Sequence, residues 1–185
     1  MRHAGISFIL WAFSLVAWAD ESVWKQLQAG GYVLLMRHAQ TEPGTGDPPG
    51  FTIGDCRTQR NLSPEGRAQA RRTGEAFRTR GVALREVRTS AWCRCVDTAT
   101  LAFDNAVVWP ALNSFFGAPG SREAQTEQVK EIVRTVQPPR NLMLVTHQVN
   151  ITAMTGEFIA PGEIFLVRSR GKDGQLQVVG RLRVP

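Results

Sequence analysis

The chain has 185 residues, with 22 lysines and arginines against 16 aspartates and glutamates, and a formal net charge of +6. This length suits one domain with a proper core, and no internal repeat, low-complexity tract or interdomain linker divides the sequence. Most basic residues are arginines, whose guanidinium groups favour bidentate contacts with phosphate or carboxylate, so anionic ligands are indicated. The basic residues are scattered and not interleaved with aromatic residues, so no nucleic-acid partner is expected.

Residues 1–19 are typical of a secretory signal peptide. A basic start precedes a mostly apolar segment at 6–18, and the small-x-small pattern at 17–19 predicts cleavage before Asp20. The apolar segment is too short to span a bilayer comfortably, although an uncleaved tether is an alternative. We expect residues 20–185 to form one exported domain, in the bacterial periplasm, with no stable membrane span after cleavage.

The three cysteines, Cys56, Cys93 and Cys95, all follow the predicted cleavage site. Export would place them in an oxidising compartment, where one disulfide and one free thiol are expected. A metal site is less favoured, because no cluster of other cysteines or histidines accompanies them. The spacing leaves open whether Cys56 pairs with Cys93 or with Cys95.

Three segments predict buried strands, and each leads to a side chain that can bind an anion. The strands are predicted within 33–39, 86–89 and 141–147. Because α/β proteins place their chemistry at the carboxyl ends of parallel strands, we expect these side chains to converge in one crevice. They are Arg37, His38, Arg94 and His147.

Helices and loops are predicted between these strands. The loop at 42–50, rich in Pro and Gly, lies beside the first strand end, where it either shapes a pocket or simply connects two elements. Ser63 and Ser121 are expected to cap helices, and residues 164–168 and 175–184 alternate as an edge hairpin. The predicted helices span 22–28, 64–80, 91 onward, 121–136 and 148–158. The fold class is therefore α/β, a three-layer sandwich with a mostly parallel central sheet, flanking helices and a C-terminal hairpin at the edge.

The chemistry of the four converging residues favours an oxyanion. Two imidazoles and two guanidiniums without a carboxylate cage describe an oxyanion site rather than a metal site. A two-histidine metal site using His38 and His147 is the competing hypothesis. For Arg94 the local sequence favours a structural role, in a salt bridge with Asp97.

Four motifs in order along the chain resemble the histidine phosphatase (phosphoglycerate-mutase-like) superfamily. They are L-M-R-H-A at 35–39, N-L-S-P-E-G-R-A-Q-A at 61–70, T-S-A-W-C-R-C-V-D-T-A at 89–99 and V-T-H at 145–147. Within it, the sequence is most similar to small exported members that share D-C-x-T-Q-R-N-L-S, here 55–63. That similarity favours a disulfide between Cys56 and Cys93.

The resemblance implies that His38 attacks phosphorus and becomes a phosphohistidine. A neutral imidazole is a competent nucleophile at neutral pH. Arg37, Arg94 and His147 would neutralise the oxygens of the transferring group, so neither a metal nor another cofactor is needed.

The sequence departs from both patterns of the family at the positions that supply the proton for the leaving group. One branch has an acidic residue directly after the second histidine, where this chain has Gln148, which we assign to substrate binding. The other branch uses a glutamate after the arginine-bearing helix, for which Glu123 is best placed, with Glu127 behind it. A surface glutamate in a first helical turn is an equally good interpretation of Glu123.

The predicted function is an exported, metal-independent phosphatase that hydrolyses phosphomonoesters through a phosphohistidine on His38. A small phosphorylated substrate is expected, with sugar or envelope-polysaccharide phosphates as the proposed class. A mutase is less attractive, because an exported enzyme would rarely meet glycolytic intermediates. The alternative is a catalytically silent phosphate- or anion-binding module that retains the Arg/His cradle.

Overall fold

The computed structural model describes residues 15–116, 121–171 and 175–185. Helices in this part of the chain are α1 (Leu15–Ala29), α2 (Pro64–Thr79), α3 (Cys93–Phe103), α4 (Arg122–Val133) and α5 (Gln148–Thr155). Strands are β1 (Val33–Arg37), β2 (Leu84–Thr89), β3 (Val107–Val108), β4 (Asn141–Thr146), β5 (Ile164–Arg170) and β6 (Gln175–Leu182). Two short 3-10 turns lie at Cys56–Thr58 and Pro110–Leu112.

The strands form one six-stranded sheet in the order β3-β2-β4-β1-β5-β6. The pairs β1–β4, β2–β4 and β2–β3 are parallel, whereas β5 runs antiparallel to both β1 and β6. The predicted mostly parallel sheet with a C-terminal hairpin at its edge is thereby confirmed. The predicted hairpin turn at 171–174 falls mainly outside the described residues.

Helices cover both faces of the sheet, as expected for strands without a polar side. Because side chains alternate along a strand, β1 sends Leu34 and Met36 to one face and Val33 and Leu35 to the other. The first face packs against α1, α2 and α3, and the second against α4 and α5. The result is the predicted three-layer sandwich, with β1 and β4 buried at its centre.

Helix α2 begins and packs as its sequence predicts. The Ser63 side chain accepts a hydrogen bond of 3.0 Å from the Gly66 amide, and Pro64 occupies the first helical turn. A Cβ added to Gly74 would lie 1.9 Å from the carbonyl oxygen of Ala102. Glycine therefore allows α2 to approach the C-terminal end of α3 closely.

Several helix ends differ from the prediction. Helix α1 starts at Leu15 rather than at residue 22, so it crosses the predicted cleavage site; residues 1–14 of the predicted signal peptide lie outside the described residues. Ser121 does not cap α4, because its hydroxyl donates to Oε1 of Gln125 instead. Helix α5 ends at Thr155, since Gly156 takes a φ of 75°.

Within the described ranges, no helix is both long enough and apolar enough to cross a membrane.

Candidate active site

The two histidines meet because β1 and β4 are parallel neighbours in register. Arg37, the last residue of β1, pairs with Thr146, the last residue of β4. The next residues, His38 and His147, consequently leave the sheet side by side, and the His38 amide donates to the Thr146 carbonyl at 2.9 Å. Their ring centroids lie 5.5 Å apart and both side chains are buried. The predicted convergence at the carboxyl ends of the strands is what the structure shows.

His38 is held as a neutral imidazole with a defined tautomer. Its Nδ1 lies 2.8 Å from the carbonyl oxygen of Ala39, and because a carbonyl can only accept, Nδ1 carries the proton and Nε2 keeps its lone pair. Burial lowers the pKa of His38 to about 3, against the opposing contact with the Ala39 carbonyl and with help from the charges of Arg94 and Arg37. At neutral pH, Nε2 is therefore free to act as a nucleophile.

His147 is fixed by the end of β2. Its Nε2 lies 2.8 Å from Oγ of Ser90, and the Trp92 ring packs edge-on with centroids 5.3 Å apart. Burial lowers the pKa of His147 well below its usual value, and the neighbouring His38 and Arg94 lower it further. The Cys95 thiol lies 3.5 Å from the same Nε2, and burial raises its pKa to about 12, so it stays a neutral thiol.

These two histidines make the stability of the fold depend on pH. The unfolded chain takes up a proton on His38 below about pH 6.5, while the folded protein does so only near pH 3, so stability falls as the pH drops through that window. We expect His38→Asn to reduce the decrease in the free energy of unfolding as the pH falls. Urea unfolding at about pH 7 and about pH 4.5 measures it, and an unchanged pH dependence in the variant would contradict the assignment.

Arg94 lies in the first turn of α3, as predicted, but its partner is not the predicted one. Its Nη1 donates to Oδ1 of Asp47 at 2.7 Å, with both side chains almost fully buried, at 5% and 7% exposure. Asp97 instead pairs with Arg67, at 2.9 Å on the surface. The predicted salt bridge between Arg94 and Asp97 is therefore wrong, because the helix directs Arg94 inward and leaves Asp97 facing α2.

Asp47 is anchored from three sides by groups that are distant in sequence. Besides Arg94, the indole N–H of Trp92 donates to Oδ2 and the backbone amide of Arg60 donates to Oδ1, both at 3.0 Å. Burial opposes ionisation of Asp47, but the hydrogen bonds from Arg94, Arg60 and Trp92 outweigh it and hold the pKa below its usual value. The loop predicted at 42–50 therefore does shape the pocket.

Two more guanidiniums flank the histidines. Arg37 donates from Nη1 to the Ile159 carbonyl at 2.9 Å, and Arg60 donates from Nε to the Gly46 carbonyl at 2.8 Å. Burial lowers the pKa of Arg37, and the charges of Arg60 and Arg94 lower it further. Burial and the charge of Arg94 also lower the pKa of Arg60, against the opposing charge of Asp47. The buried Nε atoms of Arg37 and Arg94 have no acceptor among the described residues. Cationic N–H groups in this state suit an oxyanion.

The residues converge on a pocket of about 420 Å³. Its lining comprises Arg37, His38, Gly44, Thr45, Gly46, Asp47, Phe51, Arg60, Trp92, Arg94, Ser114, Phe116, His147, Gln148 and Val149. A larger cavity of about 660 Å³ lies between α2, α3 and β2 but carries no histidine, so chemistry rather than size locates the site.

Glu123 stands apart from this pocket. It is exposed in the first turn of α4 and does not line the cavity, whereas Gln148 does. The Gln148 amide donates to Oγ1 of Thr152 at 2.9 Å. The sequence reasoning did not select Asp47, Arg60 or Ser90. Arg60 lies inside the 55–63 motif and Ser90 inside the 89–99 motif, so both have a visible signal in the sequence, whereas Asp47 has none.

A disulfide ties one wall of the pocket to the start of α3. The structure joins Cys56 to Cys93, the pair that the resemblance favours, and leaves Cys95 buried and free. The Cys93 amide also donates to Oε1 of Gln59 at 3.0 Å. These links hold the segment that contains Arg60 against the start of α3.

Loss of this disulfide should destabilise the fold without removing any charged group from the pocket. For a separation of 37 residues, the chain-entropy model gives about 4 kcal/mol for the bond. We expect the double variant Cys56→Ser/Cys93→Ser to lose roughly that much free energy of unfolding, measured in urea. A reductant should destabilise the native protein equally and leave the double variant unchanged; a similar response of both proteins to the reductant would contradict the prediction.

The comparisons with known proteins agree with this geometry. The family model of the histidine phosphatase superfamily (branch 1) matches residues 33–117. No curated protein sequence matches the chain significantly. Residues 33–117 are therefore similar to this superfamily.

Solved structures with this histidine phosphatase fold are similar over most of the chain. The protein histidine phosphatase SixA, complexed with tungstate, is 16% identical, with a TM-score of 0.58 over 82% of this chain and 96% of its own. Mycobacterial glucosyl-3-phosphoglycerate phosphatase is 17% identical, with a TM-score of 0.56 over 80% and 97%. A phosphoserine phosphatase mutant from Entamoeba histolytica is 12% identical, with a TM-score of 0.56 over 81% and 95%. At these identities the similarity establishes the fold alone.

Proposed function

We propose that this protein is a metal-independent phosphatase that hydrolyses phosphomonoesters through a phosphohistidine on His38. The observation that carries the proposal is a buried, neutral histidine with Nε2 unprotonated, in one pocket with three guanidinium groups. A nucleophile needs its lone pair, and a phosphate ester needs its negative charge neutralised before it can be attacked. Both requirements are met by residues of this chain.

The reaction proceeds in two displacements. Nε2 of His38 forms a bond to phosphorus while the bond from phosphorus to the leaving oxygen breaks on the opposite side. Arg37 and Arg94 stabilise the charge on the transferring group, and the neutral His147 ring donates a hydrogen bond to it through the single N–H that it carries. Water then attacks the phosphohistidine, the P–N bond breaks, and inorganic phosphate leaves. Arg60 adds a third positive charge that the family resemblance did not imply.

The proposed substrate is a small phosphorylated molecule, with sugar or envelope-polysaccharide phosphates as the class and the periplasm as the location. The pocket volume of about 420 Å³ suits a small ester. The signal-peptide pattern at 1–19 and the disulfide support an oxidising compartment. The fold neighbours named above are a protein histidine phosphatase, a glucosyl-3-phosphoglycerate phosphatase and a phosphoserine phosphatase, so the fold alone does not select a substrate.

The test is a panel of sugar phosphates, nucleotides and phosphopeptides with the purified chain, with and without a chelator. We expect phosphate release that survives the chelator, and phosphate on His38 that is labile in acid and stable in base after rapid quenching. Loss of activity to the chelator, with metal recovered from the protein, would instead support a site that uses His38 and His147 as metal ligands.

A silent phosphate-binding module is the second candidate, and the Asp47–Arg94 ion pair favours it, because a carboxylate already occupies a cradle arginine. This alternative predicts phosphate binding that depends on Arg37 and Arg94, without turnover of any ester across a broad pH range. The resemblance implies Glu123 as the proton donor, but its exposed position outside the pocket does not support that role, which Glu123→Gln tests.

A further inference from the structure

The carboxyl group closest to the chemistry is Asp47. It is the sole Asp or Glu among the described residues that line the pocket, and its side chain is 93% buried by the 7% exposure given above. We propose that Asp47 protonates the leaving oxygen, and this inference rests on the proposed phosphatase function. None of the sequence motifs includes this residue.

The loop that carries Asp47 is built to hold a carboxyl group beside the phosphate cradle. Oδ1 accepts from Arg94 and from the Arg60 amide, while Oδ2 accepts from the Trp92 indole. Arg60 in turn donates to the Gly46 carbonyl and to Oγ1 of Thr41, which fixes the loop from below. The carboxyl group is therefore positioned by contacts from two distant segments rather than by contacts within its own loop.

Substrate binding supplies the reason for Asp47 to become an acid. A phosphate ester that engages the Arg94 guanidinium competes with Asp47 for the same N–H groups. A buried carboxylate that loses its cation and faces a phosphate anion is strongly disfavoured, and it regains neutrality by taking a proton from solvent. The bound ester thus converts Asp47 from a partner of Arg94 into a protonated donor in the same pocket.

The proton balance closes over both half-reactions. As the bond from phosphorus to the ester oxygen breaks, the Asp47 proton moves to that oxygen and the product alcohol leaves neutral. The Asp47 carboxylate then accepts a proton from the water that attacks the phosphohistidine, and the P–N bond breaks. Asp47 ends the cycle protonated and returns this proton when phosphate leaves and Arg94 re-forms the ion pair.

Other carboxylates lie in less suitable places. Glu123 is exposed and does not line the pocket. Glu163 is buried but accepts from the Ala160 amide and lies near Arg181 and Arg183, outside the lining. These positions leave Asp47 as the carboxyl group that a bound ester would touch.

The decisive experiment compares substrates whose leaving groups differ in their need for a proton. The full chain and Asp47→Asn are assayed with 4-nitrophenyl phosphate, phenyl phosphate and an alkyl phosphate. A nitrophenolate leaves without help, whereas an alkoxide does not, so we expect Asp47→Asn to lose about 10²- to 10⁴-fold in kcat/KM on the alkyl ester and less than about tenfold on the nitrophenyl ester. Asp47→Glu, which keeps a carboxyl group, should recover part of the alkyl phosphatase activity.

Two control variants separate this role from a structural one. Asp97→Asn removes a carboxylate from an ion pair outside the pocket, and Glu123→Gln removes the donor implied by the resemblance; neither should change the dependence on leaving group. Equal losses on all three esters in Asp47→Asn, or a leaving-group dependence in Glu123→Gln instead, would overturn the proposal. If Asp47→Asn does not fold, Asp47→Glu provides the test, because its longer side chain displaces the carboxyl group. A loss of kcat/KM in Asp47→Glu that is equal on all three esters would then overturn the proposal as well.

The outcomes also distinguish this proposal from the proposed function beneath it. If the native protein releases phosphate and labels His38 while Asp47→Asn hydrolyses alkyl esters at the native rate, the role of Asp47 is refuted and the proposed phosphatase function stands. If the native protein neither labels His38 nor turns over any ester, both the phosphatase function and the role of Asp47 are refuted.

Discussion

Replacing His38 with alanine should lower kcat for phosphate release from every ester by roughly 10⁴-fold or more, since the other imidazole among the described pocket residues, His147, has its Nε2 in contact with Oγ of Ser90. The neutral state of the native imidazole, with Nδ1 fixed on the Ala39 carbonyl, makes Nε2 the nucleophilic atom. The measurements are steady-state turnover and acid-labile phosphate on the quenched protein.

Phosphate binding provides the control for His38→Ala. Arg37, Arg94 and His147 remain in the variant, so the affinity for inorganic phosphate measured by calorimetry should stay within about tenfold of the native value. A variant that still turns over 4-nitrophenyl phosphate at a substantial rate would exclude His38 as the nucleophile and with it the phosphohistidine mechanism.

The Arg94→Ala variant should lose both activity and stability. Removal of a cradle guanidinium costs about 10³-fold in kcat/KM by comparison with other oxyanion and phosphoryl-transfer sites. It also leaves Asp47 buried without its cation, which should lower the free energy of unfolding by about 3 kcal/mol near neutral pH, since both partners are almost fully buried. Enzyme assays and urea unfolding measure the two effects independently.

Arg67→Ala is the matched control, because Arg67 also pairs with an aspartate but at the surface. We expect it to change the free energy of unfolding by less than about 1 kcal/mol and to leave activity near the native level. Adding Asp47→Asn to Arg94→Ala should restore much of the lost stability without restoring activity. A stability loss in Arg94→Ala that Asp47→Asn does not relieve would show that the ion pair is not its cause.

The contrast between Arg94 and Asp97 shows where sequence reasoning reaches its limit. A residue three positions along a helix is a natural partner, so the local sequence favoured that salt bridge. The structure gives Arg94 a partner from the loop at 42–50 and gives Asp97 a partner from α2. A side chain on a helix can pair with any group that tertiary packing brings near it, and the local sequence does not show which loop packs against the helix.

Glu123 and Asp47 make the same point for the proton donor. Glu123 was selected by its position after the arginine-bearing helix, yet it is exposed in the first turn of α4. Asp47 lies in a segment rich in Pro and Gly, where a carboxylate has no periodic or motif signal. Its burial follows from the path of the loop between Arg60 and Trp92, and that path is set only when the sheet, α3 and the disulfide are assembled.

The sequence by itself determined the α/β class, the buried strands, the capped start of α2 and the placing of Arg37, His38, Arg94 and His147 at strand ends and a helix start. These features follow from periodicity and local capping, which act within a few residues. Only the tertiary structure decided the ion pair of Arg94, the tautomer and pKa of His38, and the entry of Asp47 and Arg60 into the pocket. Each of these depends on burial and on contacts between segments far apart in the chain, which exist only once the parallel strands have paired.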